Sequence, residues 1–251
     1  MGNAIVGAIP AIVRNQDGLY GEGNLDHYYQ GLVFNATSNP YHNPGHIMYV
    51  LKRVHEACEY DRGKVLTPRH VRDALVGAIL HDYGHLGRAF DKAGNAIDDA
   101  VNIERAIAGL REHVAEEDRP RLAEIESVIL ATQFPHADLQ LDLSNPCDLI
   151  RQVIREADLS QILDPGWFNQ IIIGLAEELN MPRIKMLEKQ PGWLKALGAK
   201  YFVTDWARET LVPLIGPRLT EVEKHLAILS DYRFDADQWA WPKAYRPNNG
   251  D

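Results

Sequence analysis

Ten histidines occur in the 251 residues, and several stand where metal or acid–base chemistry would need them. His42 and His46 lie four apart in "YHNPGHIMYVL", one just before a helix start and one in its first turn. His81, Asp82 and His85 lie together at the end of another helical stretch, and Asp158 falls within "READLS". A divalent cation takes neutral imidazoles and carboxylates that converge from different elements. His46, His81, Asp82 and Asp158 form such a set, drawn from three helices. Residues four apart share a helix face, so His81 and His85 can look into one cavity. Singly, each has a plainer reading: a His–Asp pair arises by chance, and a histidine before a helix is often a capping or surface residue. Order and spacing together carry the inference.

The elements that position these residues are marked by their ends. Asn43 is a good N-cap and Pro44 a good first helical residue, so a helix begins there and runs through "HIMYVLKRVHEAC". Thr67 and Pro68 repeat the device, with Val71, Leu75, Ala78 and Ile79 at helical spacing before Gly84 and Gly87 end the run. The same 3.6-residue period marks residues 98–114, 119–132 and 145–163, the last opened by Asn145 and Pro146. It weakens at "DPG" and "QPG", read as turns, and recovers in "AKYFVTDWARETLVPLIG" and "LTEVEKHLAILSDY". Residues 1–23, Gly-rich and aperiodic, read as an arm, and the last dozen as an extended tail. No strand alternation, linker or internal repeat divides the chain, so one all-α helical domain over residues 1–251 is expected.

A net charge of −9 argues against a nucleic-acid backbone or an anionic membrane as partner, since both reward clustered Lys and Arg. A metal-lined pocket for a small anion is compatible with it. Cys58 and Cys147 lie in helical patterns away from the histidine motifs and read as reduced thiols, which suits a cytoplasmic protein. No run approaches the ~18 apolar residues that span a bilayer. No basic segment precedes the apolar N-terminus, so a cleaved signal is not expected. A homo-oligomer is compatible with this composition.

Taken in order, the motifs resemble the HD superfamily of metal phosphohydrolases, and within it the catalytic domains of class I cyclic-nucleotide phosphodiesterases. A Y-H-N-x-x-H segment is met by Tyr41, His42, Asn43 and His46. A T-P stretch leading into H-D-x-x-H-x-G is met by Thr67, Pro68, His81, Asp82, His85 and Gly87. Glu104 in "NIERAI" resembles the family's next acid, with Asp99 also fitting. "ILATQFPH" matches at Thr132, with Gln133 in place of an acid, and "ADLS" places Asp158. The match runs unbroken over residues 41–161, with 162–251 left as C-terminal helices for the substrate side.

The resemblance implies a compact HD-domain helical bundle in which His46, His81, Asp82 and Asp158 hold a first metal, Zn²⁺. Asp82 would bridge to a second, Mg²⁺ or Mn²⁺, with His85, Glu104 and Thr132 around its waters. Iron is an alternative occupant. The implied activity is hydrolysis of a phosphodiester, first a 3′,5′-cyclic nucleotide to the 5′-monophosphate, by a metal-bridging hydroxide with His42 as general acid. Histidine suits that role because its unperturbed pKa lies near ~6.5.

Tyr41, His136 and Phe202 are expected to line the substrate. If Phe202 answers the family's Q-x-x-F, the glutamine position holds Ala199. Gln170 and Gln190 have nothing in the sequence to aim them at a base. Gln161 also stands where the family has Asn. Other readings are an HD hydrolase of another phosphate ester, a di-iron oxygenase using His113 and His136, and a non-hydrolytic nucleotide-binding module.

Overall fold

The computed structural model describes residues 2–35, 39–87, 99–136 and 140–231. Its elements are helical: α1 (Gly2–Val13), α2 (Asp26–Asn35), α3 (Pro44–Tyr60), α4 (Pro68–Leu80), α5 (Ala100–His113), α6 (Leu122–Leu130) and α7 (Pro146–Leu159) come first. A π-helical stretch, Phe168–Leu175, runs into the short α8 (Ala176–Glu178). Then come α9 (Arg183–Ala196), a second π-helical turn (Leu197–Tyr201), α10 (Asp205–Thr210) and α11 (Val212–Asp231). The described residues contain one isolated bridge, Arg62 to Leu66, and no strand. None of the described helices is long and apolar enough to cross a membrane. The C-terminal tail lies outside the described residues.

The caps predicted from sequence form. Asn43 Oδ1 accepts the Gly45 and His46 N–H groups, and Asn145 Oδ1 those of Cys147 and Asp148. Thr67 accepts from the His70 N–H, and His70 returns the bond through its side chain, so His70 belongs to a capping box. Each cap satisfies donors that a helix start otherwise leaves orphaned.

Helix α4 is buried from Val71 through Leu80 and forms the centre of the bundle. A helix that buries every face has no solvent side for its polar residues, so each must be paired. Asp73 takes Arg69 at 2.8 Å and Arg121 at 3.0 Å. Arg72 donates to Asp118 at 2.7 and 2.9 Å, and the fully buried Asp118 also takes Arg69 and the Tyr28 hydroxyl, each at 2.7 Å. Around α4 pack α3, α6 and α7, and α1 lies on α3.

Three segments differ from the sequence reading. The N-terminal arm contains a helix, α1, because Ile9, Ile12 and Val13 bury against the core and the Tyr20 hydroxyl closes the helix end, 2.8 Å from the Ile12 and Val13 carbonyls. Packing overrides the weak propensity of its Gly and Pro. "QPG" is not a turn: Pro191 sits inside α9. "AKYFVTDW" breaks at Phe202, where Glu156 of α7 accepts the Val203 and Thr204 N–H groups at 2.7 and 2.9 Å and starts α10. That buried carboxylate ties the C-terminal segment to α7, two residues from Asp158.

Asp118 supplies a stability test. Burial pushes its carboxyl up, but the Arg72 guanidinium and Tyr28 hydroxyl outweigh burial and hold it below the usual carboxylate value. Its contribution is therefore present above the unfolded value of ~3.9 and lost as pH falls through the lower folded value. Asp118→Ala should lower the unfolding free energy by about 3 kcal/mol, the scale for stripping one partner from a buried ion pair. Denaturant titrations from pH 7 down to pH 3 should show the wild type approaching the variant. A constant gap across that range contradicts the assignment.

Candidate metal centre and adjoining cavity

Helices α3, α4 and α7 aim their ionisable side chains at one point. His46 lies in the first turn of α3, set there by the Asn43 cap, and is fully buried. His81 and Asp82 come directly after the last turn of α4, and Asp158 is the penultimate residue of α7. The α4 run can turn back after them because Gly84 and Gly87 take positive φ, at 66° and 85°.

Two donor sets result. His46, His81 and Asp158 place one donor atom each within 4.8 Å of one another, and so do His42, Asp82 and His85. The sets abut: Asp82 Oδ2 lies 3.4 Å from His46 Nε2 and 3.3 Å from His81 Nε2, while His46 Nε2 lies 3.0 Å from Asp158 Oδ1. Ligands at ~2.1 Å from a shared ion would stand about 3.0–3.4 Å apart.

The ring nitrogens are assigned by their outer partners. His81 Nδ1 lies 2.9 Å from the Ala78 carbonyl and must donate to it, which leaves Nε2 facing the centre, with a lone pair once the ring is neutral. His46 Nδ1 likewise meets Gln161 Oε1 at 2.7 Å. The two Nε2 atoms then face each other at 3.4 Å. Two imidazole lone pairs and a buried Asp82 Oδ2 with no hydrogen-bond donor fit a cation between them.

Electrostatics agree. Burial pulls the His81 imidazolium down, but the Asp82 and Asp158 carboxylates outweigh it and lift the pKa to about 9. Burial also opposes the Asp82 charge, yet His81, His42 and His46 hold that carboxyl well below its usual value. The centre therefore draws in positive charge.

His85 behaves differently. Its Nδ1 accepts the Gly87 N–H at 2.9 Å, so the neutral ring carries its proton on Nε2, 3.7 Å from Asp99 Oδ1. Burial and then the neighbouring His42 lower its pKa to about 4, keeping it neutral. It faces the centre as an N–H donor, which suits a water-bound ion better than direct ligation. The acid beside it is Asp99. Glu104, expected there, is exposed on α5, because Ile103 and Ala106 take the inward face. Thr132 is buried at the end of α6, its hydroxyl donating to Ile129 O at 2.8 Å. His113 bonds the Tyr83 hydroxyl at 2.9 Å and belongs to neither donor set.

His42 is held by a residue that no sequence motif singles out. Glu178, on α8, accepts the Tyr41 and His42 N–H groups, each at 3.0 Å, and makes a short bond to His42 Nδ1. Burial pushes Glu178 up, but the His42 ring and those N–H groups outweigh it and hold its pKa at about 2. An ionised Glu178 makes Nδ1 the donor, and Nε2 is left for the centre. The His42 ring stacks on His85 at 3.8 Å. No local motif links positions 42 and 178, so only the fold could bring this pair together.

A cavity of about 340 Å³ opens beside the centre, lined by His42, Asp158, Tyr41, Phe134, Gln190 and Trp193, with Lys189 and Leu, Ile and Met side chains completing its wall. Gln190 is 3% exposed. Its amide N–H donates to Met186 O at 2.8 Å, next to the carbonyl that Pro191 leaves without a helical donor. Its Oε1 is buried with no donor. Phe202 does not line this cavity: it is buried in the core. His136 sits between Phe134 and Tyr201 and lines a neighbouring cavity with Arg155 and Lys200. The Q-x-x-aromatic pair of the cavity is Gln190 and Trp193, which the "QPG" turn reading concealed.

No protein-family model matches the chain, and no curated protein matches it in sequence. Solved structures do resemble it. The phosphodiesterase domain of the rhodopsin phosphodiesterase of Salpingoeca rosetta is 15% identical, with a TM-score of 0.61 over 81% of this chain and 80% of that one. A second structure of that choanoflagellate domain, from the RhoPDE fusion protein, gives 0.60 at 15% identity over 90% and 91%. LmjPDEB1 in complex with IBMX gives 0.57 at 17% identity over 87% and 84%. The chain has the all-helical fold of phosphodiesterase domains.

Because the His81 pKa of about 9 lies above neutral pH, taking up a divalent ion at pH 7 should displace a proton. Titration calorimetry of metal-stripped protein with Zn²⁺ in two buffers of different ionisation enthalpy should show that release, and affinity should rise as pH approaches about 9. His46→Ala and Asp158→Ala should each weaken uptake at least ~10-fold. Wild-type uptake by these variants would contradict the assignment.

Proposed function

We propose that the protein is a metal-dependent phosphodiesterase whose first-choice substrate is a 3′,5′-cyclic nucleotide, hydrolysed to the 5′-monophosphate. The observation that carries the reading is the placement of His42: clamped by Glu178 on one ring nitrogen, it stands beside Asp82 and His85, next to the His46, His81 and Asp158 set, at the mouth of a mostly apolar cavity. The fold it shares with phosphodiesterase domains supports the same class.

His46, His81, Asp82 and Asp158 would hold the first ion. Two imidazoles with carboxylates suit Zn²⁺. The second position has Asp82 as its protein carboxylate and His85 as an N–H donor, an arrangement for a hard, water-rich ion such as Mg²⁺ or Mn²⁺. His85 as donor also speaks against a di-iron oxygenase, which would need a coordinating lone pair there. When bound, such ions neutralise phosphoryl oxygens and supply an ionised water as nucleophile.

The protein's own groups do the rest. As the bond from phosphorus to the 3′ oxygen breaks, the His42 Nε2 proton passes to that oxygen, and the Nδ1–H remains held by Glu178. The cavity would take the base, stacked near Phe134 and Trp193, with Gln190 in the wall beside it. Tyr41 would line the same space. A small-molecule phosphodiester is therefore the partner.

Metal-replete protein, loaded with Zn²⁺, Mg²⁺, Mn²⁺ or Fe²⁺, should hydrolyse cyclic mononucleotides in a panel with cyclic dinucleotides and bis(p-nitrophenyl) phosphate. No turnover of any diester overturns the reading, and O₂ consumption by the iron form would favour the oxygenase. His42→Ala should keep its metals and lose about 10²–10⁴-fold in kcat on the cyclic nucleotide. Gln190→Ala should act mainly on KM.

A further inference from the structure

The strap that carries His42, residues 39–43, is pinned at several points. Asn39 Nδ2 donates to the His85 carbonyl at 2.8 Å, which fixes the strap to the turn after α4. Asn43 Nδ2 donates to the Pro40 carbonyl at 3.1 Å, which fixes it to the start of α3. Glu178 takes the Tyr41 and His42 N–H groups from the C-terminal side. A further contact involves no polar side chain. The Pro40 carbonyl lies directly on Gly174, in the π-helical stretch Phe168–Leu175.

A Cβ at Gly174 would stand 2.6 Å from Pro40 O and 3.3 Å from Pro40 C. Both are backbone atoms, so no rotamer change relieves the clash. Gly174 does not have the positive φ that requires glycine, so what the position demands is space. π-Helical turns recur at functional sites because they shift the register of the residues after them. Here the widened turn ends one turn before Glu178, and the same helical face meets Pro40 through Gly174 and His42 through Glu178.

We propose that Gly174 is a positioning residue for His42. Its missing side chain lets the strap lie flat on the π-helical turn, at the depth where the His42 ring meets Glu178 on one side and stacks on His85 on the other. The C-terminal half would thereby set where the acid stands, without touching the metal ligands. This rests on His42 acting as the acid of a phosphodiesterase.

A substituent at position 174 must lift the strap and with it the His42 ring. A misplacement of ~1 Å can cost about 10²-fold in rate. Gly174→Ala in metal-replete, full-length protein should therefore lose about 10–100-fold in kcat on a cyclic nucleotide, whose alkoxide leaving group needs a proton. It should lose less than about 3-fold on bis(p-nitrophenyl) phosphate, whose leaving group does not, because the acid contributes only where protonation is needed. Metal content should stay at the wild-type level. Equal losses on both substrates, or none on either, overturn the proposal.

Should the wild type hydrolyse no diester, the functional reading fails, and the positioning claim is still decided by imidazole ¹H–¹⁵N spectra. The His42 Nδ1 proton, assigned by its absence in His42→Ala, should shift markedly or broaden away in Gly174→Ala. An unchanged resonance overturns the proposal. If Gly174→Ala does not fold, Asn39→Ala loosens the strap at its other end and should show the same substrate split and the same spectral change. Wild-type behaviour there counts against the strap as the device.

Discussion

Holding two carboxylates side by side, Asp82 buried and Asp158 half-buried, is the constraint on which the rest of this structure depends. Asp82 sits where water is scarce and Asp158 at the inner wall of the cavity, and an unmatched charge at Asp82 would be costly enough to unfold the region or force the group neutral. The chain matches them with His46, His81 and His42, brought in from α3, the end of α4 and the strap before α3. Those elements can meet only if their ends are held to within a fraction of a turn. The caps at Asn43, Thr67 and Asn145, the full burial of α4 and the Asp118 network all serve that convergence.

Within the centre, backbone and amide groups decide what each histidine can do. The Ala78 carbonyl and the Gln161 amide oxygen turn two imidazoles into lone-pair donors towards the middle, whereas the Gly87 N–H makes His85 an N–H donor. Glu178 holds His42 from outside. Four histidines within a few ångströms thus take different roles, although their side chains are chemically identical. Gln161, at a position where the resembled family has Asn, serves here as the partner that orients His46.

The two halves of the chain divide the work. The segment up to Asp158 supplies the candidate ligands, whose geometry is set by helix ends. The C-terminal half supplies Glu178, Gln190 and Trp193, and reaches back through two carboxylates. Glu156 on α7 gathers the start of α10, and Glu178 on α8 gathers the strap. Such long-range ties, between residues more than forty positions apart, have no periodic trace. Glu104 and Phe202 match plausible neighbours in sequence and lie elsewhere for the same reason. The face a helix buries depends on what packs against it, and Ile103 claims the inward face of α5.

The sequence by itself determined the helical class, the starts of α3, α4 and α7, and the residues that converge on the centre. The class and the helix starts depend on interactions within one or two turns, where a cap or a 3.6-residue period acts directly on its neighbours, and the converging residues were legible from the order and spacing of their motifs. The tertiary structure alone decided that residues 2–13 are helical, that Pro191 lies inside α9, that Asp99 and not Glu104 accompanies His85, and that Gln190 and not position 199 faces the cavity. Each of those outcomes is set by packing or by a hydrogen bond between distant segments. The free energy of such contacts appears only once the chain has closed on itself, so no local pattern records them.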